Sequence, residues 1–392
     1  MVRAVSGEEL LTTAAPLRAY AFQSSPRPMD EDALRRRLPY GVENRVLVAF
    51  DGDRPVATAA TLPMTQAVRG AVLPMAALAA VAVHPVARRR GLARDLVARL
   101  LAEDREAGMP VTCLYPFRES FYGRLGYVSV PQLRIARLNP RSLEPLLRLD
   151  LGGSVELREL GDGIAEYREL LKRMQPGAHG MVLRSDTAAG AAAEAKQWVA
   201  LARDGGGRIV GGMQYEVKEW RGELHVEALM TSTVAARYQL LQWLAHHADQ
   251  AAVAVLKLSP DTLAENWLAD LEVVAGTRTD FVTPMVRVLD VRGLAGVGCG
   301  TGSVTVALAD PLCPWNDGTY TLSAEAGALS VKPGGEAEVA LTPHGLSALV
   351  YGGYEPAELP IRGWGDPDPA TCERLRALFP PPANLPYLYE EF

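Results

Sequence analysis

Residues 75–127 read MAALAAVAVHPVARRRGLARDLVARLLAEDREAGMPVTCLYPFRESFYGRLGY, and their pattern decides the fold. Leu78 to Val83 is a continuous run of small and β-branched apolar residues, which predicts a strand covered on both faces and ended by Pro85. From Leu92 the apolar residues Leu92, Leu96 and Leu100, with Val97 and Leu101 beside them, recur at helical spacing. Arg94, Asp95, Arg99 and Asp104 take the opposite face. Gly108 and Pro110 stop that helix, and a second strand and an aromatic segment follow.

Between strand and helix sits Arg88-Arg89-Arg90-Gly91-Leu92-Ala93. The first backbone N–H groups of a helix have no intrahelical acceptor, and together with the helix dipole they bind anions. Gly91 has no Cβ, so an anion can approach the backbone, and three arginines add positive charge. A pyrophosphate is the expected guest. The nucleotide-triphosphate loop GxxxxGK[ST] and the dinucleotide fingerprint GxGxxG are both absent.

Working outward, a chain of 392 residues has room for two or three domains. A formal net charge of −6 argues against a nucleic-acid partner, because any phosphate-neutralising patch would have to be local. The opening MVRAVSGEELLTTAAP lacks the apolar core of a signal peptide, and no run approaches the ~20 apolar residues of a spanning helix. A cytoplasmic protein with no membrane partner is expected. Cys113, Cys299, Cys313 and Cys372 stand singly, as expected of free thiols, and no metal site is predicted from cysteine or histidine spacing. Ser120 lacks a GxSxG context, so no hydrolase is indicated.

Ala4 to Gln23 reads as a strand followed by an amphipathic helix, and Asp30 to Leu38 as a short helix. Arg45 to Phe50 and Val56 to Leu62 read as strands joined by the hairpin signal Asp51-Gly52-Asp53-Arg54, with a third strand starting at Ala71. Asn139-Pro140 and Pro145 mark a domain boundary. Beyond it Val155 to Glu159 reads as a strand, and Ile164 to Met174 and Ala188 to Trp198 as helices. Gly211 to Glu219 and Glu223 to Met230 follow as strands, then a helix over Ala235 to Ala248. Asp204 to Arg208 repeats the hairpin signal, so this half reads as a second copy of the first. Its Thr231-Ser232-Thr233-Val234-Ala235-Ala236-Arg237 has no glycine where the first half has its basic turn. From Val286 short alternating segments with Gly, Pro and Asn/Asp turns predict a twisted sheet with few helices, and Pro314 to Tyr320 joins two of its strands.

The spacing Arg88-x-x-Gly91-x-Ala93 after a buried strand resembles the pyrophosphate turn of the GCN5-related N-acetyltransferases (GNAT). Phe121-Tyr122-Gly123-Arg124-Leu125-Gly126-Tyr127 resembles their tyrosine segment. With the degenerate second half, a sterol-carrier-like end and the final Phe392, the whole chain resembles the enhanced intracellular survival family of that superfamily. The fold class implied is α+β: tandem GNAT-type acetyltransferase domains at 1–140 and 150–285, the second degenerate, then a sterol-carrier-protein-like α/β domain at 286–392.

The resemblance implies an acetyl-CoA-dependent N-acetyltransferase that acetylates primary amines of aminoglycosides or other small polyamines and assembles as a homohexamer. Its acetyl-CoA contacts fall on Val81, Ala82, Val83, Arg88, Arg89, Arg90, Gly91, Leu92, Ala93, Arg94, Phe117 and Arg118, its general acid on Tyr122, and its general base on the carboxylate of Phe392. The attacking amine must lose a proton and the departing thiolate must gain one, which a phenol and a carboxylate can manage directly or through water. Asp30 and Glu391 are candidates for attracting a cationic acceptor. Two other readings stay open: a lysine acetyltransferase acting on proteins, and a binding protein whose last domain holds an apolar ligand. The stretch Cys113 to Phe121 is bulkier than the small polar segment usual in the family, which alters the acceptor pocket.

Overall fold

The computed structural model describes residues 1–22, 30–278 and 282–392; Gln23, the expected end of the first helical segment, lies outside them. The chain opens with β1 (Val2–Ala4), α1 (Glu9–Thr12), α2 (Ala14–Phe22) and α3 (Glu31–Arg37). Next come β2 (Arg45–Asp51), β3 (Arg54–Val68), β4 (Ala71–Val83), α4 (Leu92–Glu106), β5 (Val111–Leu114), α5 (Glu119–Gly123), β6 (Val128–Ser129) and β7 (Arg134–Leu138). The middle of the chain forms β8 (Ser154–Glu159), α6 (Leu160–Met174), β9 (Val182–Arg184), α7 (Asp186–Ala189), β10 (Trp198–Arg203), β11 (Ile209–Val217), β12 (Glu223–Thr231), α8 (Val234–Ala245), β13 (Val253–Leu258) and β14 (Val273–Thr277). The remainder forms β15 (Met285–Val288), β16 (Ser303–Leu308), β17 (Gly318–Glu325), β18 (Ala328–Pro333), β19 (Val339–Leu341), α9 (Pro343–Tyr351), α10 (Leu359–Arg362) and α11 (Pro369–Leu378).

The chain divides into two units, one of residues 1–130, 179–189 and 282–392, the other of 131–178 and 190–281. The first unit holds a sheet of order β1-β2-β3-β4-β5-β15-β6, with β9 added along β3, and a smaller sheet β18-β17-β16-β19. The second holds the sheet β14-β7-β13-β12-β11-β10-β8. Both units are thus assembled from segments that are discontinuous in sequence. β7 leaves the first sheet and pairs between β13 and β14, while β15 returns to lie between β5 and β6. A four-residue strand such as Met285–Val288 is completed by hydrogen bonds from whichever edge is free, and that is a long-range property.

In the first sheet, α4 forms because its apolar stripe matches the helical period. Leu96, Val97, Leu100 and Leu101 are fully buried against Leu47, Ala57, Leu78 and Leu114. Each buried leucine contributes about 2 kcal/mol by area, so Leu100→Ala is expected to cost about 3 kcal/mol with its cavity. The opposite face is covered by α1 and α2 through Ala14, Val46, Val48 and Ala60. α3 begins on Asp30, whose carboxylate accepts the Ala33 N–H at 2.8 Å.

One expected helix is corrected. Ala188 to Trp198 forms only the end of α7, a short 3₁₀ turn at Gly190–Glu194 and the first residue of β10. The alanine run favours helix locally, but Gly190 interrupts it and the pairing of Trp198 to Arg203 with both β8 and β11 claims the rest. The remaining elements of the second half lie within four residues of the expected bounds. Among the described residues no helix is long and apolar enough to cross a membrane.

Candidate active site

β4 and β5 run parallel for only four pairs, Met75↔Val111 to Leu78↔Leu114. β4 continues to Val83, paired there only with β3, so the backbone of Ala79 to Val83 has one open edge. The register of β3 and β4 shifts between Thr58 and Ala60, and Ala80 opposite has φ +55°. A bulge at this point bends the strand away from β5. Such an edge offers N–H and C=O groups to an extended amide-bearing ligand by strand addition, and it contains Val81, Ala82 and Val83.

Beyond β4, His84 starts a short turn at Pro85–Ala87 and its Nε2 lies 2.9 Å from an Arg54 guanidinium nitrogen. Arg88 Nε donates to the Val83 carbonyl at 3.3 Å, and Arg90 pairs with Asp51 at 3.2 Å. These contacts hold the turn together, while Arg89, at φ +62°, and Arg94 in the first turn of α4 are exposed. Gly91 is the N-cap of α4 at φ +83°, a left-handed conformation that L side chains adopt at a cost, and no side chain caps the helix. A Cβ at Gly91 would meet nothing nearer than Asp95 Oδ2 at 3.9 Å, so glycine is required by its backbone angle. The N–H groups of Leu92, Ala93 and Arg94 thus stand, among the described residues, at an uncapped helix start beside two exposed arginines. Open strand edge and uncapped basic turn together fit the pantetheine amides and pyrophosphate of a coenzyme A thioester.

The second unit has the same parallel pair, β12 with β13, again for four residues before β12 runs on paired only with β11. Its helix start is different: the Thr233 hydroxyl accepts the Ala236 N–H at 3.1 Å and fills the position that α4 leaves open.

Tyr122 lies on α5 and is 3% exposed. Its ring makes edge contacts with Phe121 at 4.9 Å and Phe117 at 5.5 Å between centroids, and its hydroxyl has no hydrogen-bond partner among the described residues. Burial raises its pKa well above the ordinary tyrosine value, so the phenol stays protonated at every working pH. The nearby Tyr127 is instead structural, its hydroxyl 3.1 Å from Thr112 Oγ1 in the core. Phe117 is 61% exposed and Arg118, in extended backbone, precedes α5.

The carboxyl-terminal residues are tied down along 179–184. Tyr387 N–H donates to the His179 carbonyl at 3.3 Å, and the Arg184 N–H donates to Glu390 Oε2 at 2.7 Å. The Arg184 side chain donates to the Glu391 carbonyl. The ring of Phe392 then packs on Tyr115, just past the end of β5 and two residues from Phe117. Phe392 and Tyr122 are thereby both gathered on the segment Tyr115–Phe117. Asp30 is occupied as the cap of α3, and Glu391 is exposed.

Two residues that sequence reasoning missed hold the turn after Tyr122. The fully buried Arg287 of β15 donates to the Leu125 carbonyl and to both oxygens of Asp310, at 2.6 and 2.5 Å, and His344 Nε2 donates to the Gly123 carbonyl. Gly126, at φ +88°, has no room for a Cβ, which would lie 1.9 Å from Arg287 Nη1. The only sequence signal was a glycine with no assigned reason.

Residues 2–130 match an acetyltransferase (GNAT) domain family, residues 179–288 a second acetyltransferase (GNAT) domain family, and residues 285–389 a sterol carrier protein domain family. An uncharacterized N-acetyltransferase of Streptomyces avermitilis is 30% identical over 322 residues, covering 74% of each chain. Another, from Streptomyces coelicolor, is 25% identical over 371 residues, covering 88% of each. Among solved structures, a GCN5-related N-acetyltransferase from Anabaena variabilis superposes with a TM-score of 0.86 at 20% identity over 100% of both chains. Eis1 from Mycobacterium abscessus gives 0.78 at 21% identity, also over 100% of both. The fold is thus tandem GNAT domains followed by a sterol-carrier-like domain.

Proposed function

Because this chain belongs to the GCN5-related N-acetyltransferases, we propose that it transfers the acetyl group of acetyl-CoA to a primary amine of a small polyamine, aminoglycosides included, by direct attack. The observation that carries this reading is the open edge of β4 leading into the uncapped, glycine-started α4. Val81 to Val83 hold the pantetheine arm, Arg88 to Arg94 the pyrophosphate, and Phe117 and Arg118 flank the thioester.

In the transfer, the amine nitrogen forms a bond to the thioester carbon and the carbon–sulfur bond breaks. Tyr122 gives its proton, or a hydrogen bond, to the departing sulfur, and the carboxylate of Phe392 takes the proton lost by the nitrogen. The aromatic surroundings of Tyr122 support the hydrogen-bonding form of this role, since a phenol kept neutral is a standing donor to the developing thiolate, while its raised pKa makes full proton release less favourable. For Phe392 the support is the anchoring of residues 387–391, which opposes the fraying usual at chain ends. Residues 1–140 would carry the chemistry, 150–285 a copy without a cofactor site, and 286–392 the domain that presents the carboxylate. The proposal extends to a cytoplasmic homohexamer, which light scattering of the purified protein tests.

The test is thiol release from acetyl-CoA by protein with its native carboxyl end, across aminoglycosides, polyamines and lysine peptides. Turnover on small amines is expected. Turnover on peptides alone would replace this reading with a protein lysine acetyltransferase, and acetyl-CoA binding without release on any amine would replace it with a binding protein.

A further inference from the structure

Helix α2 turns Ala14, Leu17 and Arg18 towards the first sheet. Ala14 and Leu17 are 0% and 7% exposed, and Arg18 lies one turn beyond Ala14 on the same side. Ala14 clusters with Ala60 on β3 and Ala80 on β4. Further along the helix, Tyr20 stacks on His84 at 6.5 Å, just past the end of β4. The helix therefore follows β4 towards its open end, and Arg18 falls over the stretch between Ala80 and His84.

Opposite Ala82 in that stretch is Thr58 of β3. Its neighbours Ala57 and Ala59 join the core under α4, so alternation along the strand turns Thr58 to the α2 side. Among the described residues two groups there lack partners: Arg18 Nε and Nη2, and Thr58 Oγ1, are buried without a hydrogen bond. Burial also pushes the Arg18 pKa down to about 10, which leaves it charged at neutral pH. A desolvated cation without a counter-charge is among the most costly features a core can keep, and buried polar groups without partners call for a ligand, ion or water. On the α2 face of β3 and β4, Ala60 and Ala80, which cluster with Ala14, and Ala82, paired with Thr58, are small. Glu31 and Asp32 are engaged by Arg35 on their own helix, and Asp30 caps it, so these acids are not its partners.

Resting on the acetyl-transfer reading above, we propose that Arg18 and Thr58 form an anion subsite across β4 from the thioester, and that it holds a carboxylate of the acceptor. This narrows the substrate class of that reading from polyamines and aminoglycosides at large to amines that also carry a carboxylate, of the basic amino acid type. A purely cationic polyamine would place positive charge against Arg18.

The test compares lysine with cadaverine and ornithine with putrescine, each pair differing by the carboxylate, at saturating acetyl-CoA. The carboxylated member is expected to have at least tenfold higher kcat/KM. Arg18→Gln is expected to cut that preference tenfold or more through KM, and Arg18→Lys to restore part of it. Equal use of both members, an unchanged preference in Arg18→Gln, or a defect confined to the KM of acetyl-CoA would overturn the subsite. Calorimetric titration of lysine and ornithine into the CoA-loaded protein reads the subsite without chemistry. Heat lost in Arg18→Gln supports it even if no amine is turned over, in which case only the transferase reading falls; no heat in the unsubstituted protein overturns it. Thermal melts of both variants confirm folding, and Arg18→Gln is expected to melt no lower than the parent, since it removes an unpartnered buried cation.

Discussion

The ring of Phe392 lies 5.2 Å from the ring of Tyr115, tilted by 55°. This contact seats residue 392 at the end of β5, beside the segment that carries Phe117 and leads to Tyr122. If its carboxylate is the base, moving it should stop turnover without unfolding the protein. Adding one glycine after Phe392, or removing Phe392, is expected to lower kcat at least tenfold. The melting temperature should change little, because Leu388 and the contacts of residues 387–391 remain. Steady-state rates of native and extended protein check this, and equal rates would dismiss the carboxylate.

Gly91 starts α4 at φ +83° with open space around its Cα. Gly91→Ala should therefore cost about 1 kcal/mol through the backbone alone. The same strain displaces the N–H groups offered to the pyrophosphate, so the Kd of acetyl-CoA is expected to rise fivefold or more. Titration calorimetry with acetyl-CoA and a thermal melt read the two effects separately.

Gly126 faces a different constraint, since a Cβ there would meet Arg287 Nη1 at 1.9 Å and Pro343 Cβ at 3.1 Å. Arg287 and Asp310 form a pair that is 1% exposed on both sides, and disturbing a buried pair leaves uncompensated charge. Gly126→Ala is expected to destabilise by about 3 kcal/mol or more. Urea unfolding of the variant against the parent measures it.

His179 gives a pH signature. Its Nδ1 accepts the Arg69 N–H at 3.1 Å and its Nε2 lies 3.0 Å from the Tyr351 carbonyl, so the ring must be neutral with the proton on Nε2. Burial pushes its pKa down from 6.5 to about 4. Unfolded chains bind the proton more readily, so this stabilisation is complete above about pH 6.5 and is lost as pH falls towards 4. It amounts to roughly 3 kcal/mol. Asp104, pushed up from 3.8 to about 6 by burial, acts with the opposite sign over an overlapping window. The difference between parent and His179→Gln in unfolding free energy from pH 7 to 4 isolates the histidine. A parallel pair of curves would contradict the assignment.

The strand, basic turn and helix of residues 78–106 were legible because their signals are local: apolar periodicity, a glycine with positive φ, and a stop at Gly108. Tyr122 stood out only because its segment resembles the family's tyrosine segment, and the structure puts it on α5, soon after β5. Strand exchange was not, since Met285–Val288 looks alike whether it opens a new sheet or completes an old one. Nor was the reason for Gly126, which depends on Arg287 across 161 residues of chain. The Ala188–Trp198 expectation failed where pairing with β8 and β11 overrode alanine's helical preference. Arg18 reads as an ordinary helix residue until its missing partners are seen.

The central claim is that Tyr122 serves as acid in acetyl transfer at the mouth of β4. It is tested most directly by single-turnover acetylation of one amine with parent and Tyr122→Phe protein, both saturated with acetyl-CoA. The account predicts a rate at least tenfold lower in the variant with acetyl-CoA affinity unchanged, and no loss of parent activity up to pH 10 from ionisation of the buried phenol. Equal rates in the two proteins would contradict it.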